Sequence, residues 1–279
     1  MDRRRVQGTH ASNDSWSHSM RSLLLVDHTN GSLTQLRGIL RSSVHGSSEI
    51  SPCAAQPVVP RIVWMYWDQG EPPFEVRRII TSWERNNPKY QVKLMDRVTA
   101  EMFLVQNGFF DDAFFFRKQP SRAVRADLIR LILLKNFGGV YVDTDDLCRK
   151  PIDDLFAGGH EEVFVQEYFG TIANNFMGSA SGSRVISRAL HLLKGALESV
   201  SEYHAWSVSG PQLMTQVLAE HFVEGFSHSA VSGGTRTRVL TWAEFQLFVS
   251  PHLPLRVKRE YHWSTEKPRR ENKAFLCPG

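Results

Sequence analysis

From residue 57 onward, short apolar runs alternate with stretches of helical periodicity. Arg61–Trp67 and Tyr90–Met95 are short and rich in β-branched and aromatic residues, so both are predicted as strands. Val76–Arg85 lies between them and repeats its apolar positions at helical spacing. This order of strand, helix and strand is typical of the beginning of an α/β fold.

The strongest helix prediction is Ala123–Asn136. Its apolar positions share one face, and the pair Gly138-Gly139 supplies a stop signal. Val140–Val142 then resumes as a strand, and the alternation continues with a strand at Glu162–Gln166 and a helix at Arg184–Leu197. The pattern predicts an open α/β sheet with helices on both faces.

The composition is that of a globular protein. Of 279 residues, 42% are hydrophobic and 22% are charged, which suits one large α/β domain or two small ones. No apolar run approaches the roughly 18–20 residues of a membrane span, so no transmembrane segment is predicted. Cys53, Cys148 and Cys277 match neither a disulfide framework nor a zinc pattern, which favours a reducing compartment.

Residues 1–56 differ from the rest of the chain. They hold eleven Ser, six Arg and four acidic residues, and we predict a disordered leader before a folded domain at residues 57–279. About half of the formal net charge of +4 lies in this leader. Because the remainder is close to neutral, the sequence does not predict a nucleic-acid partner.

Three carboxylates, Asp143, Asp145 and Asp146, follow the strand Val140–Val142 directly. In extended geometry, residues two apart point to the same side, so we expect Asp143 and Asp145 to converge on one divalent cation. Mg²⁺ and Mn²⁺ prefer oxygen ligands of this kind, and ligands bind beyond the carboxyl ends of strands in open α/β sheets. The alternative is a solvated acidic turn.

Two charged residues on the preceding helix extend this candidate site. Asp127 and Arg130 are one helical turn apart and lie on the same side of the helix. They are either a surface ion pair, worth under about 1 kcal/mol, or two groups that reach for the same ligand.

Two motifs in this order resemble a group of glycosyltransferases. One is Pro60-Arg-Ile-Val-Trp-Met-Tyr-Trp-Asp-Gln-Gly70; the other is Arg125-Ala-Asp-Leu-Ile-Arg130 followed by Leu133-Leu-Lys-Asn-Phe-Gly-Gly-Val-Tyr-Val-Asp-Thr-Asp145. The group has a sugar-binding Asp-x-Asp region and includes family 32, its capsular-polysaccharide-synthesis relatives, the yeast initiating α-1,6-mannosyltransferases and, more distantly, the clostridial glucosylating toxins. The resemblance covers about residues 58–215.

The resemblance implies a GT-A type, Rossmann-like open mixed sheet, a nucleoside-diphosphate-sugar donor and a Mn²⁺ or Mg²⁺ ion. Asp143 and Asp145 match the catalytic residues that hold the metal, with Asp143 contacting the ribose or the metal. The positions that match donor-binding residues are Trp67 on the base, Asp127 and Arg130 on the sugar and phosphates, and Tyr141 in the donor pocket. Trp67 has a second interpretation as a core tryptophan.

Later segments add further donor-binding positions. Asn174 and Asn175 resemble residues on the acceptor side of the sugar site, although an Asx-rich turn explains them equally well. Ser209-Gly-Pro resembles the start of a helix in the family, which is also a purely structural signal. His262 and Trp263 resemble a C-terminal motif that closes over the diphosphate, but the Ser-Trp pair that usually follows is replaced here by Ser-Thr-Glu-Lys-Pro.

The function implied by the resemblance is metal-dependent transfer of a sugar, with retention, to a hydroxyl of a glycan, a lipid-linked saccharide or a protein. One alternative is a pseudoenzyme that binds a sugar nucleotide without turnover. The other is a haloacid-dehalogenase-type phosphatase using Asp143 and Asp145. The predicted location is the cytoplasm, with peripheral membrane contact as an option, or the Golgi lumen if an anchor is missing from this chain. The aromatic segment Phe109–Phe116 is either core or inter-helix packing, or a surface that faces a membrane or a lipid-linked acceptor.

Overall fold

The computed structural model describes residues 58–199, 205–228 and 236–256. The predictions made for residues 1–56, Cys277, His262 and Trp263 lie outside the described residues. The strands are β1 (Ile62–Tyr66), β2 (Gln91–Met95), β3 (Gly139–Val142), β4 (Leu147–Cys148), β5 (Glu162–Gln166), β6 (Phe176–Ser179), β7 (Thr237–Thr241) and β8 (Val249–Ser250). The helices are α1 (Phe74–Asn86), α2 (Arg97–Gln106), α3 (Phe110–Lys118), α4 (Arg122–Phe137), α5 (Arg184–Ser199), α6 (Ala205–Val208), α7 (Pro211–His228) and α8 (Trp242–Gln246), with a 3₁₀ helix at Asp153–Phe156.

Six strands form one mixed sheet in the order β2-β1-β3-β6-β5-β7. β1 pairs in parallel with β2 and β3, and β5 pairs in parallel with β7. β6 is antiparallel to both of its neighbours, β3 and β5. The carboxyl ends of β1, β3, β5 and β7 therefore meet the beginning of β6 at a single edge of the sheet.

Apolar side chains cover both faces of this sheet because successive residues of a strand point to opposite sides. Along β1, Trp64 and Tyr66 join one core cluster with residues of α2, α3, α4, α5 and α7. Val63 and Met65 join the other cluster, with residues of α1, the 3₁₀ helix and α8. The predicted open sheet with helices on both faces is confirmed.

The junction of α4 and β3 explains the glycine pair that ends the helix. Ser121 caps the helix by accepting a hydrogen bond from the Val124 amide at 3.3 Å. Gly138 and Gly139 have φ values of +65° and +101°, a region that favours glycine. A Cβ atom on Gly139 would lie 2.7 Å from the Ile62 carbonyl oxygen of β1. The two glycines therefore let β3 enter the sheet directly after the helix.

The elements predicted from periodicity are confirmed to within two residues at each end. The predicted helix Ala123–Asn136 is α4, and Val76–Arg85 is α1. The predicted strand Glu162–Gln166 coincides with β5.

Within the described ranges, the helices are all too short or too polar to cross a membrane.

Candidate functional site

The candidate site lies at the edge of the sheet where the parallel strands end. The loop after β1 carries Trp67, the turn after β3 carries Asp143 to Asp146, and the segment before β6 carries Asn174 and Asn175. This edge is where open α/β sheets bind their ligands. The topology therefore gathers segments that are far apart in the sequence.

Arg130 of α4 is the centre of a buried charge cluster. Its guanidinium lies 2.7 Å from a carboxylate oxygen of Asp127 and 3.2 Å from one of Asp143, and it lies over the Tyr141 ring at 4.6 Å. Burial alone would lower the pKa of Arg130. The interactions of Arg130 with Asp127, Tyr141 and Asp143 outweigh this effect and raise its pKa. The interpretation as a surface ion pair is wrong, because the arginine is only 3% exposed.

Asp127 connects this cluster to the segments before β6 and α7. Its carboxylate accepts hydrogen bonds from the Ser209 hydroxyl at 2.5 Å and the Asn174 amide at 3.1 Å. Burial raises the pKa of Asp127 to about 6, against the opposing effect of Arg130. Asp127 and Arg130 therefore both face the candidate site, and their contact with a shared ligand stays a prediction.

The acidic segment after β3 is a turn and not an extended strand. The Asp146 amide donates to the Asp143 carbonyl at 3.1 Å, so the argument from extended geometry was wrong. The turn brings ligand atoms of Asp145 and Asp146 together with His252, all within 4.8 Å of one another. Asp143 instead accepts the hydrogen bond from Arg130. Metal binding by Asp143 and Asp145 stays a prediction.

Asp146 is fully buried beside this turn. Burial raises its pKa well above the ordinary range, and the charges of Asp145 and Asp143 raise it further. The Asn175 amide donates to one of its oxygens at 2.6 Å, and the His252 backbone amide donates to the other at 3.0 Å. A divalent cation at this position would offset the repulsion between the carboxylates, so the residues present fit such an ion.

Several buried polar atoms of the site have no hydrogen-bond partner among the described residues, and three of them lie around Arg130 and the segment before β6. They are Nε of Arg130 and the side-chain oxygens of Asn174 and Asn175. Each of these side chains is at most 9% exposed. Since buried polar groups are nearly always paired, these atoms indicate that a water molecule or a polar ligand approaches them.

The two tryptophans of β1 and its loop have different surroundings. Trp64 donates its indole N–H to the Gly138 carbonyl at 2.7 Å inside the core. Trp67 is 6% exposed and packs with the other core cluster, and its indole N–H has no acceptor among the described residues. This burial fits the core interpretation of Trp67. Its stacking on a base stays a prediction.

The structure adds two residues to the candidate site that the sequence prediction omitted. Asp146 was visible as the third carboxylate of the run, but its burial was not. His252 lies 106 residues beyond Asp146 and reaches it because β8 pairs with β4. His262 and Trp263, which were predicted to close the site, lie outside the described residues.

Comparison with known proteins places this arrangement in a family. The sequence model described as "Capsular polysaccharide synthesis protein" matches residues 35–191, more than half of the chain. The chain belongs to the capsular polysaccharide synthesis protein family. The matched region ends within α5 and contains Trp67, Arg130, Tyr141 and the acidic turn.

The relatives of this family member include fungal enzymes. Inositol phosphoceramide mannosyltransferase 2 of Schizosaccharomyces pombe is 28% identical over 159 residues, covering 53% of this chain and 44% of that protein. The initiation-specific alpha-1,6-mannosyltransferase of Candida albicans is 30% identical over 101 residues, covering 34% of this chain and 26% of that protein. The chain therefore spans less than half the length of either relative.

A solved structure of similar fold is the PaToxG glycosyltransferase. It has 17% sequence identity and a TM-score of 0.51, with 70% of this chain and 80% of that chain covered. The predicted GT-A type fold is confirmed. These matches favour the glycosyltransferase prediction over the phosphatase alternative.

Proposed function

We propose that this protein is a glycosyltransferase that moves a sugar from a nucleoside-diphosphate-sugar donor to an acceptor hydroxyl. The observation that carries the proposal is the pair of buried amide oxygens on Asn174 and Asn175 without a hydrogen-bond donor. An oxygen of this kind needs an O–H or N–H group to approach it. The hydroxyls of a sugar supply such donors, and the family and its fold point to the same class of ligand.

The buried charge cluster has a role on the donor in this proposal. Arg130 is held by Asp127 and Asp143, and its unpaired Nε–H donates to an oxygen of the donor sugar or its phosphates. The ring of Tyr141 packs against the guanidinium of Arg130 and holds its orientation. Asp127, oriented by Ser209 and Asn174, accepts from a sugar hydroxyl. Trp67 stacks on the base.

Asp145, Asp146 and His252 are the proposed holders of a divalent cation, with Asp143 beside them. A bound Mn²⁺ or Mg²⁺ ion supplies positive charge for the departing diphosphate. Mn²⁺ accepts an imidazole ligand more readily than Mg²⁺ does, so the histidine favours Mn²⁺. In the transfer, the anomeric carbon loses its bond to the phosphate oxygen, which keeps the electron pair, and gains a bond to the acceptor oxygen on the same face. The proton of the acceptor hydroxyl passes to the departing diphosphate.

The donor sugar and the acceptor follow from the relatives as proposals. Several relatives are named mannosyltransferases, so we propose a mannosyl donor as the first candidate. The acceptor is a hydroxyl of a glycan, a lipid-linked saccharide or a protein. Folded residues 57–279, with residues 1–56 as a leader, remain the proposed domain organisation.

A donor screen tests the proposal. The full chain is incubated with Mn²⁺ and a panel of UDP- and GDP-sugars, and release of the nucleoside diphosphate is measured. We expect release from one donor, its loss in Asp145→Asn and its persistence in Asp111→Asn, since Asp111 is an exposed carboxylate on α3.

The same screen, extended with a panel of acceptors and with p-nitrophenyl phosphate, has two outcomes that would reject the proposal in different ways. Donor binding without release, across a panel of acceptors, would identify a pseudoenzyme. Hydrolysis of p-nitrophenyl phosphate without release from any nucleotide sugar would identify a phosphatase.

A further inference from the structure

Three aromatic side chains run in contact from the candidate cation group to the exposed rim of the site. Trp242 is the middle member, with its ring centroid 6.2 Å from that of Tyr168 and 5.7 Å from that of His252. The imidazole of His252 belongs to the ligand group with Asp145 and Asp146. We call Tyr168, Trp242 and His252 the aromatic row.

We propose that the aromatic row binds a pyranose ring of a saccharide acceptor. The inference rests on the proposed function, since it places an acceptor beside the site where the donor sugar is held. The row starts at the carboxyl ends of β5 and β7, which share the edge of the sheet with the acidic turn. A sugar that packs against the exposed Tyr168 end of the row therefore lies at the same edge of the sheet as the acidic turn.

The outer end of the row lies on a tight turn with two exposed aromatic residues. Tyr168 and Phe169 are 68% and 76% exposed at the centre of the turn Glu167–Gly170, which the Gly170 amide closes on the Glu167 carbonyl at 2.8 Å. Turn positions favour small and polar residues. Two adjacent exposed aromatic rings at the rim of a site are typical of a binding surface.

The inner part of the row is held rigidly. Trp242 begins α8, where Thr241 and Glu244 form a capping box that fixes the start of the helix. His252 has a φ of 54°, which is rare outside glycine, and it is stacked on the Trp242 ring with 22° between the planes. Its amide is bound to the buried carboxylate of Asp146. A backbone held in this conformation is common at functional sites.

The chemistry of the row favours a saccharide over a lipid surface. A pyranose ring has apolar C–H faces, which pack on aromatic rings, and hydroxyls around its edge. The row matches this pattern, because polar groups stand at the edges of its rings: the Tyr168 hydroxyl donates to the Gln246 side chain at 3.3 Å, and His252 contributes ring nitrogens. A lipid surface would instead require a continuous apolar patch.

Saturation-transfer-difference NMR on the full chain tests this proposal with methyl α-mannopyranoside and methyl α-glucopyranoside as probes. We expect saturation of the ring C–H protons of at least one probe, and affinity about tenfold lower in Tyr168→Ala and in Trp242→Ala. Phe110→Ala is the matched control, because Phe110 is an exposed ring (64%) on α3. It should bind the probe as the unchanged protein does.

The outcomes separate this proposal from the proposed function. If neither probe is saturated, or if Tyr168→Ala binds as well as the unchanged protein, the row does not bind a pyranose and the inference is overturned. Equal loss in Phe110→Ala overturns it too. Row-dependent binding of a probe in a protein that binds no nucleotide sugar would support the row and reject the donor proposal. If Trp242→Ala fails to fold, Tyr168→Ala decides the question.

Discussion

Arg130 is a buried charged residue that contacts the carboxylates of both Asp127 and Asp143. It is 3% exposed, and both of its ion-pair partners lie in the site. Removing one member of a buried ion pair leaves the other charge without compensation, at a cost of about 3–5 kcal/mol. We expect Arg130→Ala to lower the free energy of unfolding by about this amount in urea titrations.

A second arginine provides the control for this prediction. Arg117 pairs with Glu101 at 3.1 Å, but its side chain is 55% exposed. Arg117→Ala should change the stability by less than about 1 kcal/mol. Equal stability losses in the two alanine variants would contradict the assignment of Arg130 to a buried cluster.

Arg130→Lys keeps the charge and loses the planar pair of N–H groups of the guanidinium. We expect this variant to bind the sugar donor more weakly in calorimetric titration.

Asp127 gives the site a dependence on pH. Its pKa is about 6 in the folded protein, raised by burial from 3.8. The folded protein therefore binds a proton more tightly than the unfolded chain, and the resulting stability is present at low pH and is lost as the pH rises through about 6. A rise in the pKa of Asp127 from 3.8 to about 6 corresponds to a change of about 3 kcal/mol in the free energy of unfolding. Asp127→Asn lacks this titration.

The measurement is the urea unfolding of both proteins from about pH 7.5 to about pH 4.5. We expect the unchanged protein to gain stability relative to Asp127→Asn as the pH falls, because only the unchanged protein has the Asp127 carboxylate to take up a proton. A difference that stays constant over this range would show that Asp127 keeps an ordinary pKa.

At the level of single residues, the sequence predicted correctly those side chains whose relative positions follow from their spacing within one helix. Asp127 and Arg130 are three positions apart on a helix, so their common face followed from the helical repeat. His252 could not be found in this way, because its approach to Asp146 depends on the pairing of β4 with β8. Each of these strands has two residues, which is too short for a periodic signal.

Among the elements, the junction between α4 and β3 is the most constrained by backbone shape. An added Cβ atom at Gly139 would lie 2.7 Å from the Ile62 carbonyl oxygen, and the φ of +101° would strain any side chain. We expect Gly139→Ala to destabilise the protein by at least about 2 kcal/mol, since both a clash and an unfavourable conformation result. Thermal unfolding monitored by circular dichroism measures it.

Gly195 is the matched control for Gly139. It lies within α5, and a Cβ atom there would meet nothing within 4 Å. Alanine is favoured over glycine inside helices by about 1 kcal/mol, so Gly195→Ala should raise the melting temperature. If both substitutions lowered the melting temperature, the backbone conformation at Gly139 would not be the cause of the destabilisation.

The elements that the sequence predicted are those with strong periodicity or clear ends. α4 was predicted to within one residue because its apolar positions share one face and Gly138 marks its end. The acidic segment was wrongly expected to be extended, since a run of aspartates gives no sign of whether the chain turns. The position of β6 between β3 and β5 also depends on long-range pairing, which no local pattern reports.

For the whole molecule, two core clusters on opposite faces of the sheet hold the site's segments together. Val59 already belongs to one of these clusters, just after residue 57, where the folded domain is predicted to begin. The described residues of the candidate site lie between Trp67 and His252. The match to the family, however, begins at residue 35. The predicted boundary at residue 57 and the family boundary at residue 35 therefore imply different minimal regions for donor binding.

Two truncations distinguish these two regions. We expect removal of residues 1–56 to leave donor affinity within about twofold of that of the full chain in calorimetric titration, because the groups proposed to contact the donor lie beyond that point. Removal of residues 1–34 serves as the control, since it keeps the whole region matched by the family. If the longer truncation weakens donor binding and the shorter one does not, residues 35–56 belong to the functional domain, and its boundary must be moved from residue 57 to residue 35.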